Sequence, residues 1–204
     1  MPMQTAGQVG PSASNAGDGT PLIPRLGRTG DAIVSEFHPR YYESTYRGAM
    51  FSAANQAALA VSAALATTYT GLLLFNPPGS GKNLVPTKLK FALSAAPAAA
   101  ATIGLIQGFA ATGGVTAQTT KLAAVSNIIG GPAGAGIALS AATIVTPTWL
   151  AQLLDGFTAA AFAPPTLPID LEGQFIIPPG GFIGFGALTA VTGLGFIAWE
   201  EVAL

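Results

Sequence analysis

Apolar side chains recur on one parity at Leu59, Val61, Ala63, Leu65 and Tyr69, the period of a half-buried strand. Gly71-Leu72-Leu73-Leu74-Phe75 follows as a continuous apolar strand. Further on, Leu89, Phe91 and Leu93 alternate with Lys88, Lys90 and Ala92, again at period two. Residues 76–83 lie between these two strands and contain Pro77, Pro78 and Gly79, which are turn formers. Gln174-Phe175-Ile176-Ile177 predicts a strand ending in the tight turn Pro178-Pro179-Gly180-Gly181. Residues 182–189 and 195–202 predict two more strands, separated by Thr192-Gly193-Leu194. Alanine-rich helices over residues 52–66 and 92–102 are the rival elements, since Ala is the best helix former. Pro97 breaks the second, and the odd-position pattern favours strand in the first. Short strands at turn-marked intervals point to an all-β fold: an antiparallel, jelly-roll-like β-sandwich over residues 52–204.

The beginning of the chain has a different character. Residues 1–30, MPMQTAGQVGPSASNAGDGTPLIPRLGRTG, hold too little apolar surface to offset backbone ordering of about 1–2 kcal/mol per residue. They are expected to form an extended N-terminal arm. Within it Leu22, Ile23 and Leu26 stand beside Arg25 and Arg28, a compact set of anchors amid spacer residues. The arm is expected to become ordered across neighbouring copies, where extended backbone can add to a sheet edge. Residues 31–51 carry Phe37, Tyr41, Tyr42, Tyr46 and Phe51 among Asp31, Glu36, Arg40, Glu43 and Arg47. Amphipathic rings mixed with Arg suit a contact surface; a short edge strand or helix on the body is the alternative.

Composition narrows the function classes. The chain of 204 residues is 50% hydrophobic and only 8% charged, so much of its surface is expected to be covered by partner chains. A net charge of −1 gives no electrostatic case for nucleic acid. With no Cys there is no disulfide framework, thiolate metal site or thiol nucleophile. No basic segment followed by an apolar one opens the chain, so no secretory signal is expected. Charge-free runs of membrane-spanning length exist, but Ala, Gly, Thr and Ser dominate them and Pro77, Pro97, Pro132, Pro147, Pro178 and Pro179 interrupt them. Membrane insertion is therefore not expected.

The stretch Asn-Pro-Pro-Gly-Ser-Gly-Lys-Asn at residues 76–83 looks like a phosphate-binding loop. Its first-glycine position holds Asn76, its magnesium position holds Asn83, and the residues after it read as strand, not helix. A turn is expected, with Gly79 and Gly81 at positive φ and no structural demand on Lys82. His38 is the only histidine, and it sits in a Pro-flanked aromatic segment. Asp170 and Glu172 share a strand face at i, i+2 but have no second carboxylate cluster to support them, and Glu200 and Glu201 fall on opposite faces. No catalytic residue, metal site, cofactor or small-molecule substrate is expected. The charges are nevertheless patterned. Residues 48–154 carry only Lys82, Lys88, Lys90 and Lys121, whereas residues 155–204 carry only Asp155, Asp170, Glu172, Glu200 and Glu201. Such polarity could pair strands from the two halves or orient one subunit against another.

The segments RGAMFSAANQAA, GLLLFNPPGSGKNLVPTKLKFAL and LEGQFIIPPGGFIGFGALTAVTGLGFIAWEEV together resemble a family of small tailed-phage virion proteins of the head decoration or cement type. The resemblance covers roughly residues 40–94 and 171–203. It implies a non-enzymatic capsid cement protein, made in the host cytoplasm and located in the phage head. Its implied partners are the major capsid protein and itself, as a homotrimer, with no nucleic acid or membrane. A tail, spike or adaptor component is the alternative. The contact residues expected are Leu22, Ile23, Arg25, Leu26, Arg28, Phe37, Tyr41, Tyr42 and Tyr46.

Overall fold

The computed structural model describes residues 39–97, 101–154 and 166–204. The body, residues 41–204, separates from residues 1–40. It opens with a single helical turn, α1 (Tyr42–Tyr46), and among the described residues its other elements are all strands. One sheet orders β10 (Thr166–Asp170), β4 (Lys82–Leu93), β12 (Val191–Ala203), β1 (Met50–Ala54) and β7 (Val125–Ser126), with β2 (Leu59–Val61) on the start of β12. The other orders β6 (Val115–Lys121), β8 (Ile137–Ile144), β3 (Thr68–Phe75), β11 (Gly181–Ala187), β5 (Ile103–Phe109) and β9 (Thr148–Leu154). All named pairings are antiparallel, so the body is the expected all-β sandwich. Consecutive strands β3 and β4 cross from one sheet to the other, and β11 and β12 make the same crossing beside them, β11 paired with β3 and β12 with β4. This nesting of an early strand couple against the last couple is what makes the sandwich jelly-roll-like.

The continuous apolar run of β3 has its reason in two cores. Leu72 and Leu74 point into the cluster between the sheets, with Phe91, Leu105, Phe185 and Trp199. Leu73 and Phe75 point the other way, into a second cluster with Tyr69, Ile106, Leu139, Ile144 and Phe182. A strand buried on both faces has no polar side to alternate with.

The second cluster exists because its sheet rolls up. Three residues, 145–147, join β8 to β9, which lie four strand spacings apart. Four trans peptide steps reach at most about 15 Å, whereas four spacings of a flat sheet need about 19 Å. The sheet must curl. β5 with β6, and β8 with β9, form one long bent ribbon, continued through the corner by the Val145 amide donating to the Gly114 carbonyl at 2.9 Å. Phe182 fills the corner: a Cβ at Gly108 would lie 2.6 Å from its ring and one at Gly114 2.9 Å.

Four sequence expectations need correction. Residues 174–176 are not in a strand; only Ile177 makes an isolated bridge, to Leu84. Pro178 and Pro179 remove the donors that a ladder there would need. Thr192-Gly193-Leu194 does not separate strands but lies inside β12. Gly193 makes room for Phe91, whose ring would lie 2.6 Å from a Cβ, so the glycine marks close packing and not a turn. The odd-position pattern holds at Val61 in β2 and at buried Tyr69 in β3, but Ala63 and Leu65 between them are exposed. Because β1 begins at Met50, the boundary between residues 51 and 52 falls inside a strand. Phe51 stacks on Trp199, its cross-strand partner, at 6.1 Å between ring centroids.

Candidate interaction surface

Residues 76–83 form a closed turn. The side-chain amide of Asn76, fully buried, donates to the Lys82 carbonyl and to the Ile177 carbonyl, both at 2.8 Å. The Ser80 hydroxyl donates to the Lys82 carbonyl at 3.1 Å. Gly79 and Gly81 take φ of 77° and 69°, and β4 follows directly. No helix N-terminus opens here, so the loop lacks the anion cradle of a phosphate-binding loop. No atom lies within 4 Å of a Cβ built on Gly81, so Gly81→Val meets conformational strain alone. That strain is about 1–3 kcal/mol, a fall in melting temperature of roughly 2–12 °C by calorimetry. Gly81→Asn, whose side chain tolerates positive φ, should fall less.

Lys82 has a structural role, against the expectation that the turn makes no demand on it. Its ammonium meets the Glu201 carboxylate at 2.9 Å, and the Glu201 side chain is wholly buried while that of Lys82 is 41% exposed. The other carboxylate oxygen accepts from the Gly136 amide at 2.8 Å and the Trp199 indole at 3.4 Å. Burial pushes the Glu201 carboxyl up. The amides of Gly136 and Ala135, the Lys82 ammonium and the Trp199 indole outweigh that and hold it below the ordinary range. A folded-state value below the unfolded one gives stability that is present above the unfolded value and lost as pH falls through the folded one. Melting temperature should therefore decline below about pH 4.3, and Glu201→Gln should flatten that acid decline. Lys88 and Asp170 form a second pair, at 3.2 Å, between β4 and β10. Both are well exposed, so this pair is worth about 0.2–1 kcal/mol. The opposed charges of the two halves thus do pair strands.

Of the contact residues expected from sequence, Leu22, Ile23, Arg25, Leu26, Arg28 and Phe37 lie outside the described residues, as does His38. Tyr41 is half-buried. Tyr42 and Tyr46, four apart on α1, stack at 6.1 Å with their rings 10° from parallel, and Tyr46 is 69% exposed. Two apolar hollows were not anticipated. One, of about 190 Å³, is lined by Phe109, Ile176 and Phe182 among others, with Phe109 56% and Ile176 61% exposed. The other, of about 360 Å³, runs beside β9 and is lined by Thr102, Gly104, Trp149, Leu150, Ala151 and Leu188. The sequence signal for it was the charge-free run of β9.

Buried Tyr69 offers no reactive hydroxyl. It lies 2.8 Å from the Phe185 carbonyl and 2.9 Å from that of Leu72, and burial pushes its ionisation far above the ordinary value. Among the described residues no three His, Asp or Glu side chains are grouped to hold a metal ion. Nor is any helix among them long and apolar enough to cross a membrane. No protein-family model, curated protein or solved structure matches the chain.

Proposed function

We propose that the protein is a non-enzymatic virion structural protein of a tailed phage, a cement or decoration protein that stabilises the head by bridging major capsid protein subunits. The observation that supports this most is the β9 edge: a charge-free strand beside an apolar hollow, on a body braced by two cores. An adhesive part needs contact area on a stiff frame, not a reactive cavity. A standard interface buries about 1,600 Å², and repetition around a shell multiplies modest contacts. Scarce charge suits the task, since an unpaired buried charge costs several kcal/mol. Copies associate as homotrimers, and residues 1–30 run over adjacent copies.

Purified protein added to heads that lack it should bind saturably and raise the temperature at which they rupture. Light scattering at micromolar concentration should report a trimer. A monodisperse monomer would remove the trimer, and antibody label on tails instead of heads would favour the tail, spike or adaptor reading. A chain lacking residues 1–30 should keep the melting temperature of the body but bind heads more weakly. Equal binding would reduce the arm to a tail without function.

A further inference from the structure

Among the described residues the rolled sheet has two unpaired edges, and their chemistry differs. β6 presents Thr116, Ala117, Gln118, Thr119, Thr120 and Lys121, all exposed and all polar but Ala117. Polar edges ending in Lys discourage the addition of another strand. β9, with the sequence Thr-Trp-Leu-Ala-Gln-Leu-Leu, has no charge at all. Its Trp149 ring lies over Gly104 and Gly186, where a Cβ would come within 3.0 and 3.1 Å of it. The indole, 39% exposed, thereby walls the 360 Å³ hollow that opens along the strand. An uncharged edge with pockets beside it is the receiving half of strand addition, in which the main chain gives affinity and alternate side chains fill pockets.

We propose that β9 receives residues 22–28 of a second copy of the chain as an added strand. The segment fits one-sided pairing. In an extended strand the N–H groups alternate between two edges, so Ile23, Arg25 and Gly27 offer a full set of donors on one edge. Leu22, Pro24 and Leu26 hold the other edge, where Pro24 has no donor. With the complete edge on β9, Pro24 faces outward and ends the sheet, the position that proline takes in natural edges. Leu22, Pro24 and Leu26 then share one face, which meets the hollow, while Arg25 stays on the opposite face.

Reach is sufficient. From Leu26 to Pro39 is 13 residues, up to about 45 Å when extended, against a radius of gyration of about 15 Å for a body of this size. Delivery from a second copy links copies to one another, which an arm docked on its own body would not do. This deepens the self-association in the proposed function but does not rest on the capsid: purified protein alone tests it.

The chain has no Cys, so introduced thiols are unambiguous. Full-length Leu26→Cys and Leu188→Cys proteins, mixed and treated with a short bis-maleimide, should give a cross-linked pair that mass spectrometry assigns to positions 26 and 188. Neither protein alone can form that link. Arg25→Pro, which removes an edge donor, should raise the concentration for half-dissociation about tenfold relative to Arg25→Ala, which keeps it. The melting temperature of the body should be the same in both. Absence of the link between copies, its appearance only within one chain of the doubly substituted protein, or equal behaviour of Arg25→Pro and Arg25→Ala would each overturn the proposal. None of these outcomes touches head binding, which is measured separately.

Discussion

Gly180→Ala is expected to lower the melting temperature by roughly 6–12 °C, about 3 kcal/mol for a body of this size. Gly180 has φ of 93°, a conformation that residues with a Cβ adopt only at a cost of about 1–3 kcal/mol. A Cβ there would also strike the Ala110 carbonyl oxygen, and relieving such overpacking costs a further 1–3 kcal/mol or so. The position cannot move freely. Its amide donates to the Asn76 carbonyl at 2.7 Å, and its own carbonyl accepts from Gly114 at 2.7 Å and Ala110 at 3.3 Å. One residue thus ties the turn after β3 to the corner of the bent ribbon, just where β11 begins. Gly130→Ala is the control: φ is 80° there, but nothing lies within 4 Å of the added carbon. It should show the conformational cost alone, a fall of only a few degrees. Equal falls in the two proteins would mean that the corner contact contributes nothing.

Residues 71–75 and 84–93 were legible as strands because their patterns are local. What was not legible was why the first run is apolar on both sides, since that depends on a sheet curling over itself through links of a few residues. Glycine was misread at position 193, where a neighbouring ring and not a turn explains it, and this cannot be known before the partner strand is known. The edge strand β9 illustrates the same limit. A charge-free run reads alike whether it is central or at an edge, and only the strand order shows which side lacks a partner. Glu201 was correctly placed on the opposite strand face from Glu200, yet its burial was invisible. The donors that cover it come from Ala135 and Gly136 in the glycine-rich stretch, distant in sequence and without any motif of their own.

Glu201→Ala is expected to have an effect of similar or larger size, about 3–5 kcal/mol, which is roughly 6–20 °C on the melting temperature. Its loss would leave the Gly136 amide, the Trp199 indole and the Lys82 ammonium without their shared acceptor. Gly134 and Gly136 lie close against the site. A Cβ on Gly134 would run into the carboxylate and come within 2.9 Å of Phe51, and one on Gly136 would lie 2.9 Å from the indole nitrogen. The cavity therefore cannot collapse easily around a smaller side chain. Lys82→Met should cost less, about 1.5–3 kcal/mol, because its ammonium is partly exposed and the carboxylate keeps its neutral donors. The double change Lys82→Met with Glu201→Leu removes both charges and refills the space, so it should be more stable than Glu201→Ala alone. It should still fall short of the native chain, because the backbone amides stay buried without an acceptor. If the double change matches the native melting temperature, the amides need no carboxylate. If Lys82→Met alone equals Glu201→Ala, the ammonium and not the backbone donors dominates the site.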